Sequence, residues 1–236
     1  MIKATHFIVD LETMGNGPRA AIASIGVAVV REGLLTDSTY IPVSLESSVQ
    51  HGGEMDASTI LWWLSQGEEA RAAGRAGATP LRDALNYLTD FIRSHSPMPN
   101  ATYIWGNGSS VDCVILRSAY QAAGLEAPWP FWNDRDLRTL LHLYPAAKAL
   151  PFEGTKHQAL DDARHEAHQL VNALQLHADH LRGAGKMVPP AGYMLTPAEP
   201  TPAMVAAAEE AHMPFGDMHI ALQCALHAAL PLEQTA

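Results

Sequence analysis

Asp10 and Glu12 are two carboxylates separated by one residue, directly after Thr5-His6-Phe7-Ile8-Val9. That β-branched and aromatic run reads as a strand. Side chains two apart on a strand share one face, so Asp10 and Glu12 are expected to project together at the strand's C-terminal end. Two carboxylates side by side repel unless a cation or a proton sits between them. A hard divalent ion with oxygen ligands is the natural occupant. Taken alone, a D-x-E reads as an acidic turn where a strand leaves the core.

Two later stretches repeat the pattern. Ala101-Thr102-Tyr103-Ile104-Trp105 reads as a strand, broken by Gly106, Asn107, Gly108 and Ser109. Ser109 or Ser110 is expected to cap a helix running through Val111 to Arg117. Asp112 then lies in that helix's first turn, at the end of a strand, where α/β folds build sites. The same position is also good helix electrostatics, since Asp favours the positive end of the dipole. In the third stretch, Gly154-Thr155-Lys156-His157 leads into a helical pattern from about Ala159 to Leu181. His157 is expected at the helix entrance and Asp162 in its opening turns, which can bring a titratable base and a third carboxylate to one site. Asp161 and Asp162 point about 100° apart on a helix, so only one should enter. A histidine near a helix start is otherwise a surface residue or a cap.

Taken in order, Asp10, Glu12, Asp112, His157 and Asp162 resemble the DEDDh branch of the RNase H-like 3′→5′ exonucleases. The H-x-A-x-x-D pattern selects Asp162 over Asp161. The resemblance covers roughly Lys3 to Arg182. Two further segments, Ser58 to Leu64 and Phe131 to Thr139, resemble the family of T-even phage exonuclease A and its mycobacterial exoribonuclease relatives. A phage or prophage origin would suit that likeness. The resemblance implies that Asp10 bridges two Mg²⁺ or Mn²⁺ ions, that Glu12 and Asp162 complete the first ion site, and that Asp112 helps hold the second. Two ions about 3.5–4 Å apart stabilise the attacking and leaving oxygens of an in-line displacement. It also implies His157 as general base, a task that suits an imidazole titrating near neutral pH. The implied substrate is a DNA or RNA 3′ end, single-stranded or overhanging, and the product a nucleoside 5′-monophosphate.

Substrate contacts are less constrained. Thr13 resembles the family's contact to the terminal 3′-OH. Met14 either packs on the terminal base or is a core methionine. Trp62 and Trp63 fall in a helical stretch, Asp56 to Gln66. Adjacent helical residues do not share a face, so at least one is core and the other, with Trp63 the candidate, is free to stack on a base. Arg135 and Arg138 either bind phosphate or pair with Asp134 and Asp136. Asn107 either shapes the active-site loop or turns the chain.

The elements that must position these residues follow from pattern. Strands are expected at Thr5–Leu11, Ala21–Val30 and Ser38–Val43 as an antiparallel meander, then near Thr102–Trp105 and at the start of Arg135–His142. Helices are expected at Asp56–Gln66, Thr79–His95, after Ser110, and from His157. This is an α/β domain, residues 1–182, with a mixed five-stranded sheet flanked by helices; the resemblance implies the RNase H-like order. Residues 183–201 read as a linker or wrapping arm, and 202–236 as a small helical C-terminal extension. There, Pro202–Ala211 and Asp217–Leu230 read as Ala-rich helices. A stripe of Met218, Ala221, Leu222, Ala225 and Leu226 could dock on the domain, in a homodimer, or on a protein partner.

Composition bounds the classes. The chain has 236 residues, 47% of them hydrophobic, enough for a sizeable core. Net charge is −10, from 15 basic and 25 acidic residues, which argues against broad electrostatic coating of nucleic acid. It leaves room for a narrow site where metals neutralise carboxylates. Cys113 and Cys224 make no disulfide framework, and a reduced cytoplasm, bacterial or of a phage-infected host, is the expected home. The apolar runs are too short and strand-like to span a membrane, and the start reads straight into the first strand without a signal peptide. The competing reading is a catalytically idle nucleic-acid-binding or adaptor protein acting through its C-terminal helices. The intact five-residue set counts against it, because binding alone needs no general base.

Overall fold

The computed structural model describes residues 4–73, 77–184, 200–211 and 224–225. The first β-branched run forms β1, Thr5–Thr13, two residues longer than its apolar pattern. Asp10 and Glu12 are thus held inside the strand's last four residues by ladder pairing. β2, Ile22–Arg31, runs antiparallel to β1, with Gly26 opposite Asp10. β3 spans Leu34–Pro42, starting four residues before the expected Ser38. A two-residue turn joins the two strands, Glu32 at φ 55° and Gly33 at φ 77°. A tight hairpin whose two central residues both have positive φ matches the strand twist, and a Glu-Gly pair is a weak sequence signal for it.

α1 (Leu45–Gln50), α2 (Ala57–Ser65), α3 (Glu68–Ala73) and α4 (Leu81–His95) follow, then β4, Thr102–Gly106. After α5, Asp112–Ala122, come the short β5, Asp134–Asp136, α6, Leu137–Leu143, and α7, Ala159–Ala184. The sheet order is β3-β2-β1-β4-β5, with β4 parallel to β1 and β5 parallel to β4. This is the expected mixed five-stranded sheet.

Alternation along β1 assigns the two faces. Phe7, Val9 and Leu11 pack under α4 and α5 with Leu81, Leu85, Leu88, Ile92, Ile115 and Leu116. Ile8 packs on the other face with Ala28, Trp105, Leu137, Leu141, Ala163, Ala167 and Leu170, under α6 and α7. Asp10 and Glu12 have the parity of Ile8, so they face α7. The sheet-facing stripe of α7 begins with alanines, Ala159, Ala163 and Ala167, all fully buried. Small side chains four apart let the helix lie close to the sheet. The approach is closest at Gly26, where a Cβ would sit 1.9 Å from the Ala159 carbonyl oxygen.

The chain divides into two compact units, Met1–His180 and Leu181–Ala236. In the second unit α8, Pro202–Ala211, forms over the residues expected to be helical. Most of the expected arm at 183–201, the Asp217–Leu230 helix and its apolar stripe lie outside the described residues. Among the described residues, no helix is long and apolar enough to cross a membrane.

Candidate active site

The Gly26 contact sets the geometry. It lowers the first turn of α7 onto the end of β1, and one ligand oxygen each from Asp10, Glu12 and Asp162 then lies within 4.8 Å of the others. Gln158 caps α7: its Oε1 accepts the Asp161 amide at 2.8 Å. His157 precedes the cap in the left-handed region, φ 63°. The Asp162 carboxylate accepts the backbone amides of His157 and Gln158. Asp161 turns away and accepts the Thr155 amide at 2.8 Å. Of the two adjacent acids, only Asp162 reaches the cluster.

Asp112 arrives from the other side of the sheet end. It opens α5, but neither Ser109 nor Ser110 caps that helix; Val111 occupies the cap position, with no side-chain hydrogen bond. The serine expectation fails because the turn is closed otherwise. The Ser109 amide is donated to Asp136 at 2.6 Å, and the Val111 amide to the Gly108 carbonyl at 2.8 Å. Gly106 leaves space for the acid, since a Cβ there would lie 2.9 Å from Asp112 Oδ2.

Crowding these acids away from water has a clear electrostatic signature. Burial, then the charges of Glu166, Glu12, Asp112 and Asp162, hold the Asp10 carboxyl well above its ordinary range. Burial and the charges of Asp162 and Asp112 push Glu12 up to about 7. Asp112 rises to about 6 through burial, opposed by the amides of Leu11, Asp112 and Asn107 and by the Arg138 guanidinium. Burial also raises Asp162. The donors are all hard oxygens that repel one another, so the set fits divalent cations such as Mg²⁺ or Mn²⁺.

Glu166, absent from the sequence expectation, is the fifth carboxylate. It is 6% exposed on α7, one turn beyond Asp162. Asn107 donates a side-chain hydrogen bond to it, and burial with the charges of Asp112 and Asp162 raises it to about 8. A weak sequence signal existed: Glu166 lies between Ala163 and Ala167, on a helix whose other buried positions are mostly alanines.

The remaining expected residues separate by environment. His157 is half-buried and meets the edge of Trp62, ring centroids 4.9 Å apart. Trp63 is buried, and its indole N–H is donated to the Thr13 carbonyl at 3.0 Å. The open ring is Trp62, 42% exposed, so the stacking candidate moves from Trp63 to its neighbour. Both line a cleft with Leu11, Glu12, Thr13 and Val111. Asp56 caps α2, accepting the Thr59 amide at 2.8 Å and the Asn16 amide at 3.0 Å, which ties this aromatic pair to the segment after β1. The Thr13 hydroxyl donates to the Gly15 carbonyl at 2.7 Å. Met14 is half-buried, its amide donated to Ala21, and does not line the cleft. Asn107 reaches Glu166 through its side chain, while its carbonyl accepts Arg138 at 2.8 Å. Arg138 therefore flanks the acids.

Arg135 lies over the Tyr103 ring, 4.6 Å from its centroid, and donates to the carbonyls of Trp132 and Asp134. The alternative in which these arginines pair with Asp134 and Asp136 does not hold. Asp134 takes Arg117 in a two-pronged pair at 2.7 Å. Asp136 caps α6, accepting the Thr139 amide at 2.7 Å.

Residues 5–174 match the family described as the 3′-5′ exoribonuclease Rv2179c-like domain. An exodeoxyribonuclease of Enterobacteria phage T4 is 30% identical over 156 residues, which cover 56% of this chain and 69% of that protein. Among solved structures, a full-length 3′-exonuclease superposes with a TM-score of 0.53 at 14% identity, over 75% of this chain and 62% of that one. E. coli Exonuclease I in complex with a dT13 oligonucleotide gives 0.51 at 14% identity, over 78% of this chain and 44% of that one. The chain thus spans less than two thirds of either structure, and at these identities the likeness is one of fold.

Proposed function

We propose, from the premise that the chain belongs to the Rv2179c-like 3′-5′ exoribonuclease domain family and is a 3′-5′ exonuclease, that it removes nucleotides from single-stranded or overhanging 3′ ends by two-metal-ion hydrolysis. The observation that carries the proposal is the convergence of Asp10, Glu12 and Asp162 within 4.8 Å beside His157 and an open cleft. Asp10, Glu12 and Asp162 would hold one divalent cation, and Asp10 with Asp112 would hold part of a second. Bound there, two such ions would supply charge stabilisation for the attacking and leaving oxygens.

The chain's own residues do the rest. His157 takes the proton of the attacking water as general base. Its backbone amide, with that of Gln158, steadies Asp162, so base and acid are positioned by one turn. Thr13 meets the terminal 3′-OH, held in place by Trp63. Trp62 offers a ring face to the terminal base. Met14 follows Thr13, its backbone amide held by the Ala21 carbonyl. Arg138, with Asn107 beside it, meets the phosphate that follows, and Arg135 extends this basic edge along β5. A terminal nucleotide must leave its partner strand to reach the clustered acids at the end of β1, which favours unpaired ends.

The family is described as an exoribonuclease and the phage relative as an exodeoxyribonuclease, so the sugar is decided by assay. Matched single-stranded DNA and RNA oligomers, labelled at the 5′ end, would be digested over time with Mg²⁺, Mn²⁺ or EDTA. The expected result is a metal-dependent ladder shrinking from the 3′ end, with the faster ladder naming the sugar. Folded protein that cleaves neither with metal present would overturn the proposal and favour a binding protein.

A further inference from the structure

The five acids do not form a single group. Asp10, Glu12 and Asp162 form one compact donor group. Asp112 and Glu166 stand outside it, both close enough to Asp10 to be felt as charges. Glu166 is the more deeply placed in α7, 6% exposed. One of its oxygens is accounted for by Asn107. The other, Oε2, is buried without a hydrogen-bond partner; among the described residues only Ser24 Oγ shares that state. A buried carboxylate oxygen facing other carboxylates is strongly unfavourable unless something positive meets it. The cation that acts on Glu166 is Arg138, and that guanidinium is already donated to the Asn107 carbonyl.

We propose that Glu166 is a fifth metal-binding carboxylate, serving the second divalent cation together with Asp10 and Asp112. The inference rests on the two-cation reading above. It accounts for the orphaned oxygen, because Oε2 then faces a cation. It also accounts for the charge: five carboxylates are balanced by two divalent ions and the Arg138 guanidinium. The placement follows from the helix, since residues four apart on α7 lie on one face. Asp162 meets the first site from the helix entrance, and Glu166 meets the second from one turn deeper. Asn107 becomes the residue that holds Glu166 in register with the turn carrying Asp112.

The test is Mn²⁺ titration of the 236-residue chain, followed by calorimetry and by electron paramagnetic resonance of free and bound Mn²⁺. Wild type should bind two ions. E166Q, which keeps the shape and the Asn107 partner, should bind the first as wild type does and the second at least tenfold more weakly. Its melting temperature in EDTA should match or exceed that of wild type, and its Mn²⁺-induced rise should be smaller. E166A, which removes the side chain altogether, should show the same selective loss and serves if the glutamine variant does not fold. Two ions bound by E166Q with wild-type affinities would mean that Glu166 is only a hydrogen-bond partner, and the proposal would fall while the exonuclease reading stood. Fewer than two ions bound by wild type would overturn the two-cation reading and this proposal with it, while the digest of labelled oligomers tests the exonuclease reading separately.

Discussion

Removing divalent cations should make this protein less stable as pH rises through neutrality, the reverse of ordinary acid unfolding. The sign follows from linkage. Glu12 is held at about 7 and Glu166 at about 8 in the folded state, against about 4.3 for an unfolded glutamate. Between these values the folded chain binds protons that the unfolded chain has lost, so stability falls with pH. His6 works the other way: burial and the Arg135 charge lower it to about 4, which adds stability as pH rises towards 6.5. The window from pH 6.5 to 8 lies above that opposing region. Across it, at about 1.4 kcal/mol per pH unit while a proton stays bound, Glu12 contributes a loss of about 1 kcal/mol and Glu166 about 2 kcal/mol. For a chain of this length, 1 kcal/mol moves the melting temperature by about 2–4 °C. The expected fall in EDTA is therefore roughly 5–10 °C between pH 6.5 and 8, read by circular dichroism or differential scanning fluorimetry. Millimolar Mg²⁺ or Mn²⁺ should abolish or invert the slope, because cations bind the deprotonated acids. A metal-free melting temperature that is flat or rises over this window would refute the electrostatic reading of the cluster. So would an undiminished fall in an E12Q/E166Q double variant.

Other perturbations probe separate parts of the site. Asp10→Ala should abolish turnover with the fold retained, and His157→Ala should lower kcat by about 10²–10⁴-fold; steady-state digestion of a labelled oligomer reads both, and full activity in either would remove that residue's role. Trp62→Ala should weaken oligomer binding by about 1–3 kcal/mol with little change in melting temperature. Trp63→Ala should instead destabilise the fold by about 3–5 kcal/mol, and a reversed pattern in binding assays and melts would restore Trp63 as the stacking residue. Gly26→Ala should cost about 1–3 kcal/mol and weaken Mn²⁺ binding together, because the new Cβ meets the Ala159 carbonyl. Gly67→Ala, where a Cβ meets nothing within 4 Å, is the control, and equal behaviour of the two variants in melts would sink that argument.

What the sequence makes legible here is what a residue's own neighbours decide. A β-branched run announces β1, and alternation puts Asp10 and Glu12 on one side. The signals fail where a distant segment decides. The α5 entrance has two serines beside it, yet Ser109 is drawn off to Asp136, 27 residues away, and the turn closes by backbone instead. Adjacent tryptophans must diverge on a helix, but which one is buried depends on the Thr13 carbonyl waiting 50 residues upstream. Glu166 is the sharpest case. Its charge makes it read as a solvated helix acid, although Ala163 and Ala167 beside it hint at the inward face; the alanines at 159, 163 and 167 draw α7 so close to the sheet that Glu166 is only 6% exposed. Gly26 shares responsibility, since it is the only place on β2 where a missing side chain admits the Ala159 carbonyl opposite Asp10. The acidic centre is therefore built less by the acids than by the small residues around them. Glycines at 26 and 106 and the alanine stripe bring five carboxylates into a space that backbone amides and one arginine do not neutralise, and the proposed divalent cations would answer that unmet charge.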